Sequence, residues 1–270
     1  MKAKELFDAG HLSAAIEQLS LDVRSHPTDI RQRTFLFELL CFAGEHERAT
    51  RQLEVIGHQS ATAEIGVQVY RHILAAEAAR QRLFTQGLRP TFLFSLPPYV
   101  HQHLEAVNRL RENRPAEARA LLARAEQDRP PLAGEFEGQP FREFRDVDDV
   151  LSPFLEVIVH DRYVWLPLAQ LKQLTIPPPT QLRDLLWMPA VVEAYPGPVG
   201  NVFLPVLYPG SSRHDNDQVK LGRVTDWQAL GEGLVRGAGQ HLFLLGDQDR
   251  ALLEIREITF ASDTPSASPR

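Results

Sequence analysis

Cysteine is nearly absent from this sequence of 270 residues, which contains only Cys41. One cysteine cannot form a disulfide within the chain, so a fold held together by disulfides is excluded. Cys41 lies in an apolar stretch with Phe37, Leu39 and Leu40, where a free cysteine behaves as a small hydrophobic side chain. The sequence therefore predicts a buried and chemically inert thiol.

Long apolar runs and an excess of basic residues are also lacking. No apolar run approaches the ~20 residues that a membrane-spanning helix needs, and the segment after Met1 is typical of an amphipathic helix rather than a signal peptide. The formal net charge is −6: residues 1–130 carry 17 basic against 16 acidic side chains, and residues 131–270 carry 12 against 19. Neither part has the positive charge that nucleic acid or an anionic membrane requires. We therefore expect a cytoplasmic protein with no nucleic-acid partner and no membrane insertion.

Motifs for catalysis, cofactors and metals are missing as well. The sequence has no G-x-x-x-x-G-K-S/T phosphate loop and no G-x-S-x-G nucleophile motif, which argues against a nucleotide hydrolase and an α/β-hydrolase. The glycine-rich run at 231–239 leads into a predicted strand, as a connecting loop does. No spacing of His, Cys and acidic residues matches a zinc or calcium site. The sequence predicts no catalytic residue, no cofactor and no metal.

Three polar clusters have structural interpretations. The polar run at 211–218 follows a turn and is expected to be an exposed loop. An aspartate at 148 or 149 is expected to cap a turn near Val150. His101 and His103 would point to different faces of a helix, and we expect both to be solvated.

The sequence does contain a repeat of 34 residues, the length of the tetratricopeptide helix-turn-helix unit. Seven positions of the first segment recur identically 34 residues later, among them Gly10 at Gly44 and Ala15 at Ala49. Each glycine stands where a first helix must end and reverse, which needs a left-handed backbone. Each alanine is small enough for two helices to approach closely. Such a unit cannot bury its apolar face alone, so the repeat indicates a module that presents a surface to a partner.

The helices of this module follow from apolar periodicity and from the positions of proline and glycine. We predict helices at 2–9, 12–25, 30–43, 45–56, 62–84, 101–112 and 115–127. Thr28 or Asp29 is expected to cap the third helix. Asn113 replaces the turn glycine in the last pair, because asparagine tolerates the left-handed backbone better than most residues. The inner face of the long helix is predicted to consist of Ile65, Val69, Ile73 and Ala76.

The sequence changes character after Pro131. Short β-rich runs occur at 154–159, 162–166, 190–195, 202–208, 240–245 and 251–260, with a hairpin turn at 246–249. Short helices are predicted at 168–174 and 180–187. Too few long helices separate the strands for a doubly wound parallel sheet. We therefore predict a multidomain α and α+β protein. It has a tetratricopeptide-like helical domain at 1–131, an α+β domain with a mainly antiparallel sheet at 132–262, and a disordered tail at 263–270.

Two of the three tryptophans are predicted to be buried. Trp165 lies between apolar neighbours in a predicted strand. Trp187 follows the leucines at 185 and 186, and all three are expected to pack inward. This arrangement leaves Arg183 and Asp184 free for an ion pair or for a partner.

The third tryptophan, Trp227, lies in a segment with two interpretations. Residues 225–228 match a capping box at the start of a helix. That role does not involve Arg223, Asp226 or Trp227, which would suit an exposed protein interface. The structural role and the interface role both stay open. The candidate partner-binding residues of the whole chain are Arg183, Asp184, Trp187, Tyr208, Arg223, Asp226 and Trp227.

Several short segments occur together in a fixed order. They are FRDVDD at 144–149, YVWLP at 163–167, LRDLLWMPA at 182–190, PVLYPGS at 205–211 and LGRVTDW at 221–227, with LFDAGHL at 6–12 before them. In this order they resemble the ImpE family, also called TagJ or SciE-type, of type VI secretion accessory proteins. The resemblance spans nearly the whole chain apart from the terminal tail.

The resemblance implies a non-enzymatic cytoplasmic accessory of a contractile secretion machine. Members of the family are associated with the N-terminal helix of the small sheath subunit, and thereby indirectly with sheath handling by the ClpV-type ATPase. The family has no catalytic residues to carry over. Two alternatives stay open: a general scaffold or chaperone for another assembly, and an enzyme with a site around Arg183, Asp184, Arg223 and Asp226.

Overall fold

Helices make up the first half of the structure. The computed structural model describes residues 2–59, 63–87 and 89–261, and the tail predicted at 263–270 lies outside them. The helices of this half are α1 (Ala3–Asp8), α2 (Leu12–Ser25), α3 (Ile30–Phe42), α4 (His46–Gln59), α5 (Glu64–Gln86), α6 (Pro98–Arg111) and α7 (Pro115–Asp128). Each predicted helix is therefore present, with its ends shifted by a few residues. Within the described ranges, no helix is both long and apolar enough to cross a membrane.

The turns of the repeat have the backbone that the sequence predicts. The φ angle is +84° at Gly10, +71° at Gly44 and +57° at Asn113. The alanines at 15 and 49 have no exposed surface, as close helix packing requires. Asp29 caps α3, since its side chain accepts the backbone N–H groups of residues 31 and 32. These details confirm the predicted repeat unit.

Two predictions for the helical half are wrong. Ile65 was expected on the inner face of α5, but it is 81% exposed, whereas Val67 and Ile73 are buried. Two residues correspond to about 200° around a helix, so Ile65 lies nearly opposite Val67. His103 was expected to be solvated, but its ring is buried with Nε2 2.8 Å from the carbonyl oxygen of Val150. Burial lowers the pKa of His103 to about 4, so this ring is neutral at pH 7.

Antiparallel strands make up most of the second half. They are β1 (Gly134–Phe136), β2 (Gln139–Phe141), β3 (Phe144–Asp146), β4 (Phe154–Val159), β5 (Arg162–Pro167), β6 (Leu171–Thr175), β7 (Trp187–Ala194), β8 (Gly197–Pro205), β9 (Asp226–Gly231), β10 (Leu234–Ala238), β11 (Leu242–Leu245), β12 (Gln248–Ala251) and β13 (Glu257–Phe260). The main sheet has the order β2-β1-β13-β6-β7-β8-β4-β5, a second sheet has the order β12-β11-β3, and β9 and β10 form a hairpin. The pairings between these strands are antiparallel, which confirms the predicted class. A short helix, α8 (Asp217–Lys220), precedes the hairpin.

The helix predicted at 168–174 is wrong, because only Leu168–Gln170 forms a 3-10 turn and β6 follows it. Leu171 and Leu174 are both buried, and their spacing of three residues is typical of a helix. The strand pairing of β6 with β7 shifts register between Leu171 and Gln173. A bulge of this kind lets residues three apart face the same side of a sheet.

Three other local predictions in this half are also wrong, each for its own reason. The capping box at 225–228 does not begin a helix, since Thr225 donates its hydroxyl to the carbonyl of Gln240 and β9 follows directly. The strand predicted at 251–260 is interrupted by a 3-10 turn at Leu252–Glu254. The glycine-rich run at 231–239 contains β10 instead of a long loop. The turn at 246–249 does connect a hairpin, as predicted.

One apolar core runs through both halves of the chain. Helix α5 packs on β5, where the ring centroid of Phe84 lies 5.9 Å from that of Trp165. The Phe92 ring lies 6.1 Å from the Phe154 ring in the same region. Trp165 is fully buried, as the sequence predicts. The helical part and the sheet therefore meet through packed aromatic side chains.

Candidate partner-binding surface

A buried ion pair joins α5 to the main sheet. The guanidinium of Arg80 donates from Nε and Nη2 to the two carboxylate oxygens of Glu156 on β4, at 2.8 and 2.7 Å. Nη2 also donates to the carbonyl of Leu207 at 2.7 Å, and Nη1 lies 3.2 Å from the carboxylate of Glu77. Burial alone would raise the pKa of Glu156, but the charge and hydrogen bonds of Arg80 hold it well below its usual range. Both groups are therefore charged at neutral pH.

Three further side chains extend this ion pair into a buried network. Tyr163 donates its O–H to Glu156, and the indole N–H of Trp165 donates to the Tyr163 oxygen at 2.5 Å. The His241 ring places Nδ1 2.7 Å from Asp146 and Nε2 2.9 Å from Glu156, the second at an angle that is poor for a hydrogen bond. Burial would lower the pKa of His241, but the two carboxylates raise it to about 9. The ring is therefore a cation at pH 7.

Tyr208 completes the network on the side of β11. Its O–H donates to Asp146 at 2.6 Å, and its oxygen accepts the N–H of Leu242 at 3.1 Å. The neighbouring cavity, lined in part by Glu77 and Arg80, has a volume of about 40 Å³. A volume of this size holds a water molecule rather than a substrate. The polar groups of the network bind one another, so its evident physical role is to hold α5 against the sheets.

Asp148 caps the turn after β3, as the sequence predicts. Its Oδ1 accepts the N–H groups of Val150 and Leu151 at 2.8 and 3.2 Å, and its Oδ2 accepts the N–H of Gly237 at 2.8 Å. Complete burial, with Asp146 nearby, raises the pKa of Asp148 to about 7. This carboxyl group is therefore only partly charged at neutral pH.

Two candidate residues, Arg183 and Asp184, lie in the 3-10 turn that precedes β7. A third, Trp187, is the first residue of that strand. Arg183 donates to the hydroxyl of Tyr70 at 2.7 Å and pairs with Glu38 at 3.1 Å, so it has the ion pair that the sequence left open. Asp184 is buried and caps its own turn, which corrects the expectation that it is free. Trp187 is also buried, as predicted.

Arg223 and Asp217 connect the second half of the chain to the first helices. The guanidinium of Arg223 donates to the carbonyls of Phe7 and Asp8 at 2.9 and 3.0 Å. Its Cζ lies 5.3 Å from the centre of the Phe7 ring. Asp217 accepts the backbone N–H of Leu12 at 2.9 Å. The segment at 211–218 is therefore more than the exposed loop that the sequence predicts, because Ser211 is buried and Asp217 binds a helix.

Asp226 and Trp227 lie beside an open cleft of about 480 Å³. The carboxylate of Asp226 is exposed and lies 3.1 Å from Nε2 of His214. Trp227 is half-buried, and its ring centroid lies 5.8 Å from that of Tyr208. Arg213 and Arg236 also line this cleft. Aromatic and arginine side chains at an open cleft are typical of protein interfaces.

The seven candidates thus fall into two groups. The buried side chains, which have no open surface for a partner, are those of Asp184, Trp187 and Tyr208. Those with exposed or half-exposed surface are Arg183, Arg223, Asp226 and Trp227. In the described part of the chain, no group of three His, Cys, Asp or Glu side chains is placed to hold a metal ion.

An apolar groove of about 280 Å³ lies between α5, α6 and the β9–β10 hairpin. Its apolar lining consists of Leu83, Phe84, Pro90, Leu104, Val107, Leu110, Val150, Trp165 and Leu230. Arg89, Arg111 and Arg236 also line it, and the Cζ of Arg236 lies 4.6 Å from the centre of the Phe84 ring. A groove of partly exposed apolar side chains beside a helix is a typical binding surface for an amphipathic helix.

Sequence reasoning missed this groove, although α6 carried a signal for it. The buried face of the helix includes Val100 and Ala106. Leu104, Val107 and Leu110 widen this apolar stripe, since Val107 lies two helical turns after Val100, and these three residues line the groove and are only partly buried. An apolar stripe this broad extends beyond one packing partner, and the sequence-based prediction did not consider what covers the rest of it.

Comparison with known proteins identifies the family. The ImpE family, described as ImpE protein, matches residues 138–259. The type VI secretion system accessory component TagJ of Pseudomonas aeruginosa is 37% identical over 260 residues, which cover 96% of this chain and 91% of the relative. A crystal structure of protein VPA1032 from Vibrio parahaemolyticus has the same fold, with a TM-score of 0.87, 23% identity, and coverage of 97% of this chain and 98% of that one. This chain therefore belongs to the ImpE family, and it is similar across almost its whole length to the type VI secretion accessory component TagJ.

Proposed function

We propose that this protein is a non-enzymatic, cytoplasmic adaptor of type VI secretion that binds the N-terminal helix of the small sheath subunit. Membership of the ImpE family supports an accessory role in that machine. Through the bound subunit, the adaptor would affect sheath handling by the ClpV-type ATPase. The buried network supports an adaptor rather than an enzyme, because its polar groups are engaged with one another beside a cavity of about 40 Å³.

The apolar groove is the observation that carries this proposal. Its volume is about 280 Å³, and one wall is the row of Leu104, Val107 and Leu110. An amphipathic helix could place its apolar stripe against that row and leave its polar face in water. We propose that both domains, 1–131 and 132–262, contribute to the contact, because Phe84 belongs to the first and Leu230 to the second.

Titration calorimetry with the full chain and a synthetic peptide of the sheath-subunit helix tests the proposal. We expect binding of one peptide per chain in the micromolar range, with a negative heat-capacity change because apolar surface is buried. Leu104→Glu places a charge in the groove and should weaken binding at least tenfold. Leu21→Glu is the matched control, since Leu21 lies on α2, does not line the groove and is 56% exposed.

Two results would contradict the proposal. The first is a folded protein that does not bind the peptide, which would favour a scaffold for another assembly. The second is equal weakening by Leu104→Glu and Leu21→Glu, which would place the contact elsewhere. The enzyme alternative is less well supported because its four residues have different neighbours: Arg183 pairs with Glu38, whereas Arg223 binds carbonyls of the first helix.

A further inference from the structure

Arg236 is a partly buried cation without an ion-pair partner among the described residues. It lies on β10 and stacks on Phe84, with its Cζ 4.6 Å from the ring centre. Burial lowers its pKa, and the acidic group that most offsets this effect is Asp148. Asp148 is a weak counter-ion, because it accepts three backbone N–H groups and has a pKa of about 7. The positive charge of Arg236 is therefore poorly compensated within the chain.

The position of Arg236 connects two surfaces. It lines the apolar groove on one side and the cleft of about 480 Å³ on the other. Arg213 and His214 line the same cleft, and its acidic side chain, Asp226, lies 3.1 Å from His214. A ligand in the groove would therefore reach Arg236 at the edge of its apolar contact.

The charge of Arg236 restricts which partners can bind at this edge of the groove. A purely apolar partner would remove more water from Arg236 without replacing it, and an unpaired buried charge is strongly unfavourable. A carboxylate removes that cost, since it can accept two parallel hydrogen bonds from a guanidinium. Arg89 and Arg111 also line the groove, against one carboxylate, that of Glu105, so the charged lining as a whole favours a negative group.

We propose that the helix bound in the groove carries an Asp or Glu beside its apolar stripe, and that this carboxylate pairs with Arg236. This inference rests on the proposed function, because it specifies the partner that the groove selects. Stacking on Phe84 holds the Arg236 guanidinium in place, so less side-chain freedom is lost when the pair forms. The pair selects helices by charge, whereas the apolar row would accept many amphipathic helices.

The test is a double-mutant cycle on the full chain and the synthetic sheath-subunit peptide. Each Asp or Glu next to the apolar stripe of the peptide is replaced in turn by Asn or Gln. We expect Arg236→Gln to weaken binding about tenfold, one peptide replacement to weaken it equally, and the two together to weaken it no further. Arg236→Lys should retain part of the affinity, and Arg124→Gln, on the exposed surface of α7, should leave binding within about twofold.

The outcomes separate this inference from the proposed function. If the peptide binds but neither Arg236→Gln nor any peptide replacement weakens it, the inference is wrong and the adaptor function stands. If the folded wild-type chain does not bind the peptide at all, both are wrong. The peptide replacements are measured against the wild-type chain as well, so the test remains decisive if Arg236→Gln does not fold.

Discussion

Asp217 caps a helix that begins 205 residues earlier in the chain: its Oδ2 accepts the backbone N–H of Leu12 at 2.9 Å. The same oxygen lies 3.4 Å from the N–H of Ser13. Helix α2 lacks a cap of its own, because His11 at its N-terminus makes no side-chain hydrogen bond to it. Lys220 holds the carboxylate from the other side, at 2.9 Å from Oδ1. The second half of the chain thus supplies a group that the first repeat needs.

Asp217→Ala should destabilise the protein by about 1 kcal/mol, the usual cost of losing a side-chain cap. For a chain of this size we expect the melting temperature to fall by about 2–4 °C, measured by circular dichroism. Asp217→Asn keeps an acceptor oxygen and should lose less. Asp215→Ala, two residues away in an exposed position, is the control and should be nearly neutral. Equal losses in the two alanine variants would show that the contact with Leu12 does not stabilise α2.

Glu156→Gln should be far more damaging, because it leaves Arg80 buried beside a neutral partner. The side chains of Arg80 and Glu156 are 5% and 2% exposed, and breaking such a pair costs about 3–5 kcal/mol. Urea denaturation of the variant measures the loss. Glu193→Gln is the control, since the Lys172–Glu193 pair is well exposed and should contribute less than about 1 kcal/mol. Comparable losses from both substitutions would contradict the role assigned to the network.

The helical half could be predicted from sequence because its signals are local. The glycines at 10 and 44 mark turns, and proline and aspartate mark helix starts within a few residues of their effect. The groove escaped prediction for the opposite reason. Its walls come from α5, α6 and the β9–β10 hairpin, and no local pattern shows that these elements meet.

The buried network could not be predicted for the same reason. Arg80 and Glu156 are 76 residues apart, and each is unremarkable in its own segment. The family segments did contain Tyr163, Asp146 and Tyr208, but the sequence did not show that they converge on one ion pair. Strand pairing and the bulge at β6 depend on such distant contacts too, which explains why errors gather in the second half.

Ala15→Leu and Ala49→Leu should each destabilise the helical half by about 1–3 kcal/mol, because both alanines are fully buried and a larger side chain would overpack the seam. Chemical denaturation measures the change in the free energy of unfolding. Glu17→Gln, on the exposed face of α2, is the control and should be nearly neutral. If the leucine variants are as stable as this control, the shared spacing does not mark a packed seam between helices.

The protonation of His241 predicts that stability falls as the pH rises above 7. Its pKa is about 9 in the folded protein and about 6.5 in an unfolded chain, so the folded state binds more protons between these values. This contribution is fully present below about pH 6.5 and is lost as the pH rises through about 9. Between pH 7 and 9 we expect the free energy of unfolding to fall by about 2 kcal/mol, measured by urea denaturation.

Between pH 7 and 9 the other buried groups with a shifted pKa contribute less than His241. Burial raises the pKa of the Cys41 thiol, so this thiol loses its proton only in the unfolded chain and adds a smaller fall in stability close to pH 9. Asp148, with a pKa raised to about 7, also loses its stabilising proton as the pH rises, but mainly below that range. His241→Asn should lower stability at pH 7, because it removes the cation between Asp146 and Glu156, and should make the pH dependence between pH 7 and 8 nearly flat. His101→Asn, at an exposed position, should keep the wild-type dependence. An unchanged slope in His241→Asn would show that another group titrates in this range and that His241 is neutral in the folded protein.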